Sequence, residues 1–90
     1  MVTISRNLKR LVYLISPNKI YPKFYIELDK VLSSKKVYFF QLRLKDKSPN
    51  EIIQIAKKIK PITKKHNVKL IINDNLTITK KVNADGCHLG

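Results

Sequence analysis

Apolar residues along this chain fall into short continuous runs separated by longer stretches of helical spacing. Leu11-Val12-Tyr13-Leu14-Ile15 is one such run, closed by Ser16-Pro17-Asn18, the pattern of a buried strand that ends in a turn. From Pro22 to Leu32, Phe24, Leu28 and Val31 recur at helical spacing, with Tyr25 and Leu32 beside them, which predicts a first helix. Val37 to Lys45 is apolar and aromatic as far as Gln41 and is bounded by Asp46-Lys47-Ser48-Pro49, which predicts a second strand. Ser48-Pro49-Asn50-Glu51 then reads as a helix start: Ser48 can cap, Pro49 suits the first helical position, and Glu51 stands where a capping box needs it. Ile52, Ile55, Ala56, Ile59 and Ile62 make one apolar stripe, while Lys57, Lys58, Lys60, Lys64 and Lys65 make a solvated face. Pro61 lacks a backbone donor and is expected to bend this helix or split off its last turn.

Val68 to Ile72 predicts a third strand, ended by Asn73-Asp74-Asn75. A short helix through Leu76, Ile78 and Val82 leads to a fourth strand over Asp85-Gly86-Cys87-His88-Leu89. No hairpin signal interrupts the alternation of strand and helix, so the pattern specifies an α/β unit with a parallel sheet and right-handed crossovers. The 90 residues form a single partial domain on this reading, because a fourth strand would normally be covered by one more helix. A chain this short buries only about 60% of its unfolded surface, which excludes a large independent core.

Composition narrows the function. Glycine occurs only at Gly86 and Gly90, which excludes glycine-rich phosphate loops. Nineteen basic residues against 6 acidic ones give a formal charge of +13, which raises the prospect of a polyanionic partner. Only Arg6, Arg10 and Arg43 are arginines; the remainder is lysine among many isoleucines and asparagines, so solvated lysines and anionic small ligands are expected rather than nucleic acid. A lone cysteine, Cys87, permits no internal disulfide and suits a reducing compartment, with the cytoplasm as the expected location. The apolar stretch after Arg6, Lys9 and Arg10 is too short for a secretory signal, and no run approaches the roughly 18 apolar residues of a membrane span.

Alternation along the second strand sets Tyr38, Phe40, Leu42 and Leu44 on one face and Val37, Phe39, Gln41, Arg43 and Lys45 on the other. Ligands of parallel α/β proteins bind beyond the carboxyl ends of the strands, where this second face turns polar. Arg43 and Lys45 can pair with a phosphate there, or stand as solvated charges on an exposed strand end. Asp74, ending the third strand, can hold magnesium beside a substrate phosphate or cap the next helix. His88 can orient a ligand or serve as a packing residue; Cys87, alternating with it, is expected to be a buried thiol against the helices. His66 ends the long helix, where a cation is favourable, and is given no function.

Three motifs, in order, then carry a resemblance: Gln41-Leu42-Arg43-Leu44-Lys45-Asp46, Ile71-Ile72-Asn73-Asp74 and Ala84-Asp85-Gly86-Cys87-His88-Leu89-Gly90. Together with Tyr13-Leu14-Ile15-Ser16-Pro17 they are similar to the thiamine-phosphate synthases, TIM-barrel enzymes, and in part to their thiazole tautomerase relatives. The resemblance implies the amino-terminal half of a TIM (β/α)8 barrel, cut after the fourth strand. It implies transfer of hydroxymethylpyrimidine from its diphosphate to thiazole phosphate, with release of pyrophosphate and assistance from Mg2+. Gln41, Arg43, Lys45, Asn73 and His88 match residues around the pyrimidine diphosphate, and Asp74 matches a magnesium ligand. The cysteine at 87 stands where an aliphatic residue is more usual. A second metal carboxylate and the thiazole-phosphate loops are expected beyond Gly90, so the chain alone is expected to be inactive. Self-association or a complementary carboxyl-terminal half would then complete it. A non-catalytic basic module for phosphates or nucleic acid is the competing expectation, weakened by the absence of aromatics interleaved with the helix lysines.

Overall fold

The computed structural model describes residues 2–8 and 11–89, with side chains from Tyr13 onward. The elements run β1 (Val2–Leu8), β2 (Leu11–Ile15), α1 (Phe24–Leu32), β3 (Val37–Leu42), α2 (Pro49–Lys65), β4 (Lys69–Asn73), α3 (Leu76–Val82) and β5 (Gly86–His88). They form one sheet in the order β1-β2-β3-β4-β5, with β2 to β5 parallel and β1 antiparallel to β2. The expected strand–helix alternation is therefore present in full, and the expectation of no hairpin is corrected by β1. Its sequence, Val-Thr-Ile-Ser-Arg-Asn-Leu, lacks the glycine-containing turn that usually announces a hairpin.

The helices pack on one face of the sheet. Leu14, Phe40 and Leu70 stand in register across β2, β3 and β4, and all three are buried against Phe24, Leu28 and Leu32 of α1 and Ala56 and Ile59 of α2. Phe24 and Phe40 meet with ring centroids 6.0 Å apart. Fully burying a leucine or phenylalanine contributes about 1.5–3 kcal/mol, so this layer is the main source of stability. In α1 the buried positions are Phe24, Leu28 and Leu32; Val31, expected in the stripe, is 38% exposed. A second correction concerns Val37, which the alternation assigns to the face of Phe39. The β2–β3 register shifts between Val12 and Tyr13, so that Val12 pairs with Val37 but Tyr13 pairs with Phe39. The extra residue, Tyr38, is exposed, and Val37 turns into the helix-side core.

Ser48 begins α2 with a complete capping box, its hydroxyl accepting from the Glu51 amide while the Glu51 carboxylate accepts from the Ser48 amide. The helix continues through Pro61 to Lys65, so its last turn is not split off. Thr63, buried two residues on, donates its hydroxyl to the Lys60 carbonyl within this last turn. At the end of α2, His66 does more than complement a helix terminus. Its Nε2 lies 2.6 Å from Asp29 of α1, which also accepts from Lys65, and its Nδ1 is buried without a partner.

Candidate functional site

The turn after β2 and the end of β3 are stitched together by one hydroxyl. Ser16, 3% exposed, donates its backbone amide to the Gln41 carbonyl at 2.9 Å. Its side-chain oxygen accepts from the Arg43 amide at 2.9 Å and donates to the Arg43 carbonyl at 3.2 Å. Two residues on, the Lys45 amide donates to the Asn18 carbonyl at 3.3 Å. Regular pairing of β3 stops at Leu42, so Arg43 and Lys45 lie just beyond the strand, their backbones held and their side chains exposed. That is the carboxyl rim on which ligands of parallel sheets bind.

The same rim gathers the polar ends of β4 and β5. Asn73 stands in register with His88, and the Asp74 amide donates to the His88 carbonyl at 2.7 Å. Asp74 adopts a left-handed backbone, φ 57°, which turns the chain off the sheet at the strand end. The cap of α3 is Asn75 rather than Asp74: the Asn75 side-chain oxygen accepts from the Ile78 amide at 2.9 Å. Gly86 lets β5 approach closely: a Cβ there would stand 3.0 Å from Cδ1 of Ile71, its register partner. Cys87 falls on the helix side with Ile72, half-buried rather than fully so.

Gln41 is the buried member of the set, 3% exposed, on the face away from the helices. Its Nε2 donates to the Tyr13 hydroxyl at 2.7 Å, and the Tyr13 ring stacks on Phe39 with centroids 5.7 Å apart and an interplanar angle of 22°. Tyr13 and Ser16 belong to the first-strand motif, where the sequence assigns neither of them a role. Both were visible as a strand position on the Phe39 face and as the hydroxyl closing that strand, but their partners come from a strand 27 and 28 residues away.

The lysine-rich end of the molecule lies elsewhere. A cavity of about 360 Å³, lined by Lys60, Lys64, Lys69, Asn67, Asn83 and Asp85 among others, opens where β4 begins and α2 and α3 end. Lysines suit the negative ends of helices, and Lys60 donates directly to the Val82 carbonyl at 3.1 Å. The Asp85 carboxylate is engaged with the Leu70 amide at 2.8 Å. This cavity is thus accounted for by helix termini, at the opposite end of β4 from the rim.

Parallel strands alternating with helices define part of a (β/α) barrel, and one carboxyl rim of it carries cations, an amide and a carboxylate. Comparison with known proteins agrees: residues 12–90 match the pattern of the family described as thiamine monophosphate synthase, and the chain belongs to that family. A thiamine-phosphate synthase from Pelagibacter ubique is 59% identical over 83 residues, which are 91% of this chain and 40% of that protein. One from Clostridium tetani is 54% identical over 50 residues, 56% of this chain and 24% of its own length. Among solved structures, a thiamine phosphate pyrophosphorylase from Pyrococcus furiosus superposes with a TM-score of 0.75 at 23% identity, covering 90% of this chain and 39% of that one. The fold is therefore shared, and the chain spans about 40% of the length of the Pelagibacter relative.

Proposed function

We propose that the rim of β3, β4 and β5 is the pyrimidine-diphosphate half of a thiamine-phosphate synthase site. The reaction served would join hydroxymethylpyrimidine to thiazole phosphate, with loss of pyrophosphate, in the cytoplasm. The observation that carries this reading is the convergence of exposed Arg43 and Lys45 with Asn73, Asp74 and His88 on one rim. Arg43 and Lys45 bind the diphosphate and stabilise the negative charge that grows on its oxygens as the carbon–oxygen bond breaks. Asn73 and His88 supply hydrogen bonds beside them, and Gln41 meets the pyrimidine ring. Among the described residues no group of three or more His, Cys, Asp or Glu side chains could hold a metal by itself. Magnesium is commonly held by one or two carboxylates with phosphate oxygens and water, and Asp74 would supply one such carboxylate. Bound there, magnesium would neutralise charge on the departing pyrophosphate.

Calorimetry with inorganic pyrophosphate tests the reading. Binding should be tighter with magnesium than without. Arg43→Ala or Lys45→Ala should weaken it about tenfold or more, and Lys57→Ala or Lys64→Ala by less than about twofold. Equal losses from all four substitutions would mean general charge attraction and would remove the site.

A further inference from the structure

We infer that Gly86 is a positioning residue of the rim: its lack of a side chain lets β5 lie close enough to Ile71 for the Asp74 amide to reach the His88 carbonyl, and so sets the spacing of Asn73 and Asp74 against His88. The inference rests on the reading of the rim just given and deepens it. Gln41, Ile71 and Gly86 stand in register across β3, β4 and β5. Two residues on, the same face carries Asn73 opposite His88, so Ile71 and Gly86 form the layer directly below the groups assigned to the ligand. No glycine among the described residues has a positive φ, so the backbone at Gly86 is one that other residues can adopt. What the position requires is room. A Cβ there would meet Cδ1 of Ile71 at 3.0 Å, against about 3.5–4.0 Å for an unstrained contact between carbons.

The consequence follows from how β5 is held. It is three residues long and, among the described residues, pairs with β4 alone. A methyl group pressed against Ile71 therefore meets its least resistance in β5 itself, and the displacement is passed along two residues to the strand end. There the Asp74 amide donates to the His88 carbonyl at 2.7 Å, beside the left-handed turn that Asp74 makes at φ 57°. Relieving the contact takes about 0.5 Å or more, which carries a bond of this length to the long end of its range. The same movement draws His88 away from Asn73, so two of the groups around the ligand lose their register.

The test compares the 90-residue chain with Gly86→Ala, Ile71→Val and the double variant, by amide hydrogen exchange and by calorimetry with inorganic pyrophosphate and magnesium. Gly86→Ala should speed exchange of the Asp74 amide about tenfold and weaken pyrophosphate about fivefold, the loss of one ordinary hydrogen bond. Ile71→Val should leave both within about twofold. The double variant should return both to within about twofold of the wild type, because valine has no Cδ1 for the new methyl to meet; a glycine needed for any other reason would not be rescued in this way. The Ser16 amide, bonded to the Gln41 carbonyl, should keep its protection throughout and so report that β2 and β3 are intact. If Gly86→Ala does not fold, the double variant decides: wild-type values support the inference and unfolding overturns it. Wild-type values in Gly86→Ala would mean that Ile71 turns aside, and a double variant as weak as Gly86→Ala would mean that the Cδ1 contact is not the cause; either overturns the inference. Faster Asp74 exchange with unchanged pyrophosphate affinity overturns the positioning role and leaves the diphosphate site standing. A wild-type chain that binds no pyrophosphate removes the site, and the positioning role with it.

Discussion

The Ser16 hydroxyl closes a two-way hydrogen bond with the backbone of Arg43, donating to its carbonyl and accepting from its amide. Because Ser16 is buried, an alanine there would leave both backbone groups without that partner, at a cost of about 1–3 kcal/mol. It would also release the segment that aims Arg43 and Lys45 outward. Ser16→Ala is therefore expected to lower the urea midpoint and weaken pyrophosphate binding together, although the serine touches no ligand. Destabilisation with unchanged affinity would show that the segment holds its course without the strut. The charged and amide groups of the rim were legible in the sequence because strand alternation and the carboxyl-end rule assign them directly. Tyr13 and Ser16 were not, since what they do is defined by atoms of β3 that no local pattern brings to them.

Among the elements, the two helix ends that meet at His66 give a pH dependence. The Asp29 carboxyl is held below the usual carboxylate range, first by its hydrogen bond with His66 and next by that with Lys65. A carboxylate depressed in the folded state stabilises it above the unfolded pKa of about 3.9, and that contribution disappears as pH falls through the lower folded value. Urea denaturation followed from about pH 5 to about pH 2 should show a steeper loss of stability in the wild type than in Asp29→Asn. Parallel curves would mean that the α1–α2 contact owes nothing to this carboxylate. The start of α2 offers a cleaner case, since Ser48→Ala removes half of the capping box and should cost about 1 kcal/mol. Helix starts and apolar stripes are written locally, which is why α2 was predicted in detail. The continuation through Pro61 was not, because α2 is held along its length by Ala56, Ile59 and Thr63 against the rest of the fold. Packing of this kind outweighs a single missing donor. The face taken by Val37 likewise depends on the β2–β3 register shift, a property of two strands together.

For the whole molecule, a formal charge of +13 predicts some attraction to any polyanion, and salt separates that from a site. Binding to DNA or RNA should be weak, indifferent to sequence and lost by about 0.15 M salt, since each neutralised phosphate releases counterions. Pyrophosphate held by Arg43 and Lys45 should be far less affected; tight, sequence-selective RNA binding at that salt would favour the basic-module reading instead. The sheet sets a stronger constraint. Among the described residues β5 pairs with β4 alone, so its other edge offers unpaired backbone groups, and beyond β2 the antiparallel β1 follows rather than a parallel barrel strand. The helices pack on the face of Leu14, Phe40 and Leu70 and not on that of Tyr13, Phe39 and Gln41, whereas a closed barrel fills its interior with layers from all its strands. Ordering costs about 1.5 kcal/mol per residue, so an α/β unit with one packed face comes out close to balance. Purified as 90 residues, the chain is expected to self-associate through the β5 edge and to form no thiamine phosphate. Supplying the remaining 60% of a relative such as the Pelagibacter enzyme as a separate chain should yield a heterodimer on size-exclusion chromatography and turnover that Arg43→Ala abolishes. Turnover by the 90 residues alone, in material free of host enzyme, would mean that one rim of the barrel is catalytically sufficient.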